Sequence, residues 1–301
     1  MTPKIHLTVL LFLFITCQLS AQTIDSLRQK IEQIISTKKV IVGVSITGKQ
    51  EKDTLYINKD RHFPMQSVYK FPIALAVLSE IDKGKFSLNQ KIQISKEDLL
   101  PDTWSPIRDE YPNGATLALS QIIEYTVSKS DNNVCDILLR LIGGAKKVDE
   151  YFHTIGFTDI SIKATEEEMH KEWNVQFQNW ITPEAANELL ELFYFNKKKL
   201  LSKKSYDFIW KVMRETETGK NRLKGQLPPN TVVAHKTGTS GVNDEGLTAA
   251  VNDIGVIFLP NVDPVFISVF VTNSKENTET NEKIIADIAK VTWDYFNAKA
   301  K

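Results

Sequence analysis

Ser67 and Lys70, three residues apart in Ser67-Val68-Tyr69-Lys70, are the first residues of this chain whose types and spacing suggest chemistry. On a helix an offset of three stacks the amine beside the hydroxyl, which places a base next to a nucleophile. At a helix N-terminus the free backbone amides and the dipole also favour negative charge, the kind that develops on an oxyanion during acyl transfer. Taken alone, the pattern is common and usually marks nothing. Ser130-Asp131-Asn132 follows an apolar helical pattern running from Leu117 to Val127, and by itself it reads as a helix cap or turn. Lys236-Thr237-Gly238-Thr239 closes the strand Val232-Val233-Ala234 and by itself reads as an ordinary strand exit with a turn glycine.

The elements that must position these residues come from both ends of the chain. Ile24, Leu27, Ile31 and Ile34-Ile35 recur at helical spacing, Val40 to Ile46 reads as a strand, and a second short strand follows near Thr54 to Ile57. Apolar residues from Tyr69 to Ile81 suit a buried helix that stops near Gly84, with Ser67 at its N-terminus. From about Leu117 to Met213 the patterns are helical, as in Ile137 to Ile142, Ala185 to Phe193 and Tyr206 to Met213, with little strand signal. Thr231 to Lys236, Ala249 to Leu259 and Val265 to Thr272 then read as strands, and a helix follows from about Glu276 to Phe296. The expected fold class is α/β (α+β): an antiparallel sheet flanked by terminal helices, plus an all-helical lobe, with a ligand cleft between them. The corresponding division is 22–64 with 213–301 for the α/β lobe and 65–212 for the helical one.

Composition narrows the partners. With 37 basic and 37 acidic residues in 301, no global field draws the chain to nucleic acid or to an anionic membrane, so a small molecule is the expected partner. Residues 1–21 read as a signal peptide: Lys4, an apolar run from Val9 to Ile15 too short to span a bilayer, and a small-residue cleavage site at Leu19-Ser20-Ala21. Cys17 lacks the small residues before it that lipid attachment would favour, so simple cleavage and no stable membrane anchor are expected. Cys135 is then the one cysteine of the mature protein; it reads as core packing, and stability must come without an internal disulfide. The Lys197-Lys198-Lys199 run reads as a solvated helix end or loop. No metal-ligand spacing connects His170 or His235 to other donors, and neither metal nor cofactor is expected.

The three motifs occur in fixed order on a helix start, a loop and a strand end, and together they resemble the trio of class A serine β-lactamases and penicillin-binding proteins. Phe63-Pro64-Met65-Gln66-Ser67-Val68-Tyr69-Lys70-Phe71-Pro72, Ser130-Asp131-Asn132-Asn133 and Val233-Ala234-His235-Lys236-Thr237-Gly238-Thr239-Ser240 are similar to the PER- and CfxA-like branch, subclass A2. The likeness covers essentially the whole mature chain. It also points to Ala164-Thr165-Glu166-Glu167-Glu168-Met169-His170, where Glu166 matches the deacylating carboxylate, with Glu167 and Glu168 as local competitors and a bare acidic loop as the alternative. The commonest class A pattern has an arginine and an aspartate that pair across the omega-type loop, about 161–181; here those positions look like Ala164 and Asn179, and His170 replaces the usual asparagine. Other contacts must then hold this loop.

By this resemblance Ser67 attacks a β-lactam carbonyl, Lys70 or Glu166 through water takes its proton, and Glu166 activates the deacylating water. The amides of Ser67 and Thr239 form the oxyanion hole. Ser130 relays a proton to the leaving nitrogen with Lys236 polarising it, and Asn132 binds the substrate's side-chain amide. Thr237, Thr239 and Arg222 meet the substrate carboxylate and Gly238 lies with them in the substrate site, although Arg222 alone also reads as a surface charge. Trp104, in Pro101-Asp102-Thr103-Trp104-Ser105-Pro106, resembles the aromatic wall of a cleft mouth and equally suits a packing plug. His170 would stand beside the base. The expectation is an exported, periplasmic monomer that confers β-lactam resistance. The rival readings are a penicillin-binding DD-peptidase, against which Glu166 argues, and a non-enzymatic β-lactam sensor domain, which would need a transmembrane link.

Overall fold

In the computed structural model, residues 23–260 and 263–299 are described; the signal-peptide reading of 1–21, with Cys17, lies outside them. The N-terminal part supplies α1 (Ile24–Ile35), β1 (Ile41–Thr47), β2 (Thr54–Ile57) and the two-residue β3 (Phe63–Pro64). The middle of the chain contains α2 (Lys70–Asp82), β4 (Lys91–Ile94), α3 (Pro106–Glu110), β5 (Ala115–Ala118), α4 (Leu119–Val127) and α5 (Asn132–Ile142). It continues with α6 (Ala145–Thr154), β6 (Ile160–Ser161), α7 (Glu166–Lys171), β7 (Trp180–Ile181), α8 (Pro183–Phe195) and α9 (Lys203–Arg214). The C-terminal part adds β8 (Val232–Thr239), β9 (Val251–Phe258), β10 (Val265–Thr272) and α10 (Thr278–Lys299).

The two ends build one antiparallel sheet in the order β2-β1-β10-β9-β8. Every residue of β10 is buried because the sheet is covered on both faces. Ile267, Val269 and Val271 join Leu27, Ile31, Ile284 and Ile288 beneath α1 and α10, while Phe266 and Phe270 turn to the other face, toward the helical core. There Asn187 of α8 donates to the carbonyl of Phe266 (3.1 Å) and to Thr47 Oγ1 (3.0 Å), and accepts from Ser268 Oγ (2.6 Å). Both N–H groups and the oxygen that this amide brings into the apolar layer thus have partners.

Helix α2 runs through the centre of the larger core, in contact with α4, α5, α6 and α9, and is buried from Lys70 to Ser79. A helix surrounded on all sides must be apolar on all sides, which is why Phe71 to Leu78 shows so little polarity. Each of its buried Ile, Leu and Val side chains contributes roughly 1.5–3 kcal/mol. The helix stops where Gly84 adopts φ 81° and Lys85 N–H returns to the carbonyl of Glu80.

The lobe read as all helical also carries short strands: β4 pairs with β5, and β7 lies between β3 and β6. Helix α4 accordingly begins at Leu119, after Leu117 has paired with Ile92. Strands of two to four residues are too short for alternation to register. A second difference concerns Lys236 to Thr239, which is not a strand exit. β8 continues through Thr239, pairing Gly238 with Asn252 and Thr239 with Val251.

Candidate active site

The chain enters α2 through a tight 3-10 turn, Gln66–Tyr69, and Gln66 takes the left-handed conformation (φ 47°) that turns Ser67 toward the cleft. A non-glycine residue held there is strained, a feature that clusters at functional sites. Lys70, with no exposed surface, stands one helical step behind. Its Nζ donates to Ser67 Oγ (2.9 Å), to the Ser130 carbonyl (2.7 Å) and to Asn132 Oδ1 (2.5 Å). It also lies 2.9 Å from Glu166 Oε1, an ion pair at an angle outside hydrogen-bond geometry.

Ser130 is left-handed as well (φ 60°), placed at the entry to α5 by Asp131, whose carboxylate caps that helix at Val134 N. The same carboxylate accepts from Ser105 Oγ and the amide of Ile107, tying α5 to α3; burial raises its pKa above the ordinary carboxylate value. From the sheet, Lys236 Nζ reaches Ser130 Oγ at 2.9 Å and the Thr237 carbonyl at 2.9 Å. Burial first, and the neighbouring Lys70 charge second, hold the Lys236 amine well below the usual lysine range. Gly238 is required by close approach and not by a turn: a Cβ there would stand 2.4 Å from the Met65 carbonyl. The strand therefore runs directly against the nucleophile segment.

The three adjacent glutamates separate by environment. Glu168 accepts from the Thr165 amide in a capping box, Glu167 pairs with Lys171 at 2.6 Å on the surface, and Glu166 is buried against Lys70. Asp136, which sequence reasoning missed, holds this turn from α5: its carboxylate accepts from Glu166 N (2.8 Å) and Glu167 N (2.9 Å). No local signal marks it, since it lies inside an apolar helical pattern. Asn179, noted only as a departure, is fully buried and clamps the loop. Its Oδ1 accepts from Lys163 N (2.7 Å) and Ala164 N (2.9 Å), and its Nδ2 donates to the Ala164 carbonyl (2.9 Å).

A cleft of about 330 Å³ brings together Ser67, Trp104, Ser130, Asn132, Glu166, Arg222 and the Thr237–Thr239 edge. Lys70 and Lys236, both fully buried, stand behind the Ser67 and Ser130 hydroxyls. Trp104 is no packing plug: it is 61% exposed at the mouth, its indole N–H donating to the Lys129 carbonyl. Nor is Arg222 a surface charge, since it is 5% exposed and Nη2 donates to Thr239 Oγ1 at 2.7 Å. His170 stands apart from Ser67 and lines an adjoining 180 Å³ cavity with Asp136 and Glu166. Thr218 and Gly219, also missed, complete the wall opposite Thr237, where the Thr218 and Thr237 hydroxyls share a 2.6 Å hydrogen bond. Among the described residues no three His, Cys, Asp or Glu side chains converge as a metal site.

The family model of the beta-lactamase enzyme family matches residues 26–296. Beta-lactamase VEB-1 of Pseudomonas aeruginosa is 64% identical over 96% of this chain and 97% of its own length. Extended-spectrum beta-lactamase PER-1 of the same species is 42% identical over 96% and 92%. The crystal structure of TLA-3 extended-spectrum beta-lactamase superposes with a TM-score of 0.87 at 54% identity, covering 90% of this chain and 98% of that one. A class A beta-lactamase from Bacteroides cellulosilyticus gives 0.85 at 40% identity, over 90% and 97%. A serine, two buried lysines and a glutamate gathered in one cleft, on a chain matched nearly end to end, therefore belong to a member of the beta-lactamase enzyme family, of class A.

Proposed function

We propose that this class A β-lactamase opens the lactam ring on Ser67 and releases the product with water activated by Glu166. The observation that carries the assignment is that Lys70 Nζ lies 2.9 Å from both Ser67 Oγ and Glu166 Oε1, which brings nucleophile, amine and carboxylate within reach of one another. Ser67 Oγ bonds to the lactam carbonyl carbon while its proton passes into the Lys70–Glu166 pair. The oxyanion that forms is held by the amides of Ser67 and Thr239, preorganised donors typically worth about 3 kcal/mol each. As the C–N bond breaks, the ring nitrogen takes the Ser130 hydroxyl proton, Ser130 regains a proton from the Lys70–Glu166 pair that took it from Ser67, and Lys236, 2.9 Å behind that hydroxyl, polarises it. Glu166 then takes a proton from water, the hydroxide attacks the ester, and as the C–O bond breaks that proton passes back to Ser67 Oγ.

Asn132 holds the substrate's side-chain amide. Arg222, Thr237, Gly238 and Thr239 form the carboxylate subsite, and Trp104 walls the mouth. His170 borders the space beside Glu166 into which a bulky cephalosporin side chain would extend; the extended-spectrum naming of PER-1 supports this substrate class. The signal-like N-terminus supports export to the periplasm.

Glu166→Ala should accumulate one covalent acyl-enzyme, seen as an intact-mass increase equal to the β-lactam. Undiminished turnover in this variant would move the base to another residue. A stable adduct on the unmodified enzyme would instead identify a penicillin-binding peptidase or a sensor.

A further inference from the structure

Directly before Lys236, a buried imidazole takes no part in the reaction described above. His235 has no exposed surface, and its Nδ1–H donates to the carboxylate of Asp253, which is also fully buried, at 2.9 and 3.0 Å. Its Nε2 is buried without a hydrogen-bond partner, so the bond to Asp253 is the ring's one polar attachment. The strand passes close at this point: Gly255 pairs with His235 across the ladder, and a Cβ on Gly255 would meet the Ala234 carbonyl at 2.6 Å and His235 Cβ at 2.7 Å.

What the pair holds is the segment that carries Arg222. Asp253 Oδ2 also accepts from the Leu223 amide at 3.2 Å, and Thr216 Oγ1 donates to the His235 carbonyl at 2.6 Å. Between those anchors, Gly219 (φ 70°) and Arg222 close a turn through Arg222 N–H to the Gly219 carbonyl at 3.0 Å. The guanidinium is then spread over β8 and β9, donating from Nη1 to the carbonyls of Gly238 (3.1 Å) and Asn252 (3.0 Å). Neighbouring strand residues point to opposite faces. Lys236 faces Ser130, whereas His235 faces Asp253, the acceptor for the Leu223 amide, and Thr237 faces Thr218.

We propose that His235 is a positioning residue for substrate-carboxylate binding: through Asp253 it fixes the turn that presents Arg222. This rests on the carboxylate reading of Arg222 given above. The role is specific to the donor at Nδ1, because an aliphatic side chain would leave the Asp253 carboxylate short of a partner and free to draw the Leu223 amide out of place.

The test compares a chromogenic cephalosporin with its carboxylate methyl ester. His235→Leu should raise KM for the acid about tenfold, with kcat little changed and turnover of the ester unaffected. His235→Asn, whose amide nitrogen reaches the Nδ1 position, should restore the parent's KM, whereas His235→Gln, with its amide at the Nε2 position, should not. If the Leu variant does not fold, the contrast between Asn and Gln still decides. Equal losses on acid and ester, or parent-like values in both Leu and Gln, overturn the proposal while leaving the reaction intact. Arg222→Ala separates the two layers of inference: it should abolish the preference for acid over ester. Retention of that preference would remove the carboxylate reading and the role of His235 with it.

Discussion

Asp136 does at the level of a single residue what the sequence offers no reason to expect. Its carboxyl is pushed up from 3.8 to about 6, chiefly by burial and then by the charge of Glu166, with the two amide bonds from Glu166 and Glu167 acting in the opposite direction. Between about pH 4 and pH 6 the folded chain therefore keeps a proton that the unfolded chain has released. The group's contribution to stability is fully present below about pH 4 and is lost as pH rises through 6. Asp136→Asn cannot ionise, so its Tm measured relative to the parent should climb by a few degrees from about pH 4 to pH 7. A pH-independent difference would mean that the buried carboxyl is not what the parent loses stability to.

At the scale of elements, the loop from 161 to 181 is fastened by Asn179, by Asp136 and by the pairing of β6 with β7. Asn179 supplies with one amide three bonds to backbone atoms of Lys163 and Ala164, so it replaces an ion pair with neutral hydrogen bonds. Asn179→Leu preserves volume but leaves two N–H groups and a carbonyl unsatisfied, each costing about 1–3 kcal/mol if it stays buried. The variant should show faster amide hydrogen exchange across 163–171 and a slowed deacylation step, with acyl-enzyme visible in the steady state. Unchanged exchange in that segment would show that the β6–β7 pairing alone suffices. The substitution at 179 was legible in the sequence; the bonds that make up for it were not, because they depend on a backbone path that only the folded loop has.

On the scale of the whole molecule, one core lies under α1 and α10 and a larger one surrounds α2. The cleft opens where the sheet edge at β8 meets the start of α2. Asn252 locks the two together, its Nδ2 donating to the carbonyls of Pro64 (2.8 Å) and Met65 (3.2 Å). Cys135 is buried inside the larger core, free, and its thiol is held well above the ordinary range by burial. Stability should accordingly be indifferent to reductant: Tm of the mature protein with and without dithiothreitol should coincide. A clear drop on reduction would reveal a disulfide between chains. No helix among the described residues is long and apolar enough to cross a membrane.

Periodicity alone located β1, β2 and β10 to within about a residue at each end, because those strands are bounded by polar turns and β1 and β10 are buried almost throughout. Resemblance to the class A trio pointed to Ser67, Lys70, Ser130 and Lys236, whose motifs are each contiguous or fall within one helical turn and so can be matched in sequence. Only the tertiary structure gave Glu166 a burial that its two neighbours lack, buried Arg222, and brought Asp136, Asn179 and the His235–Asp253 pair into place. The reason is physical. Each of those choices depends on which distant side chain arrives to accept or donate a hydrogen bond, and that is set by how α2, α5 and β8 pack against one another.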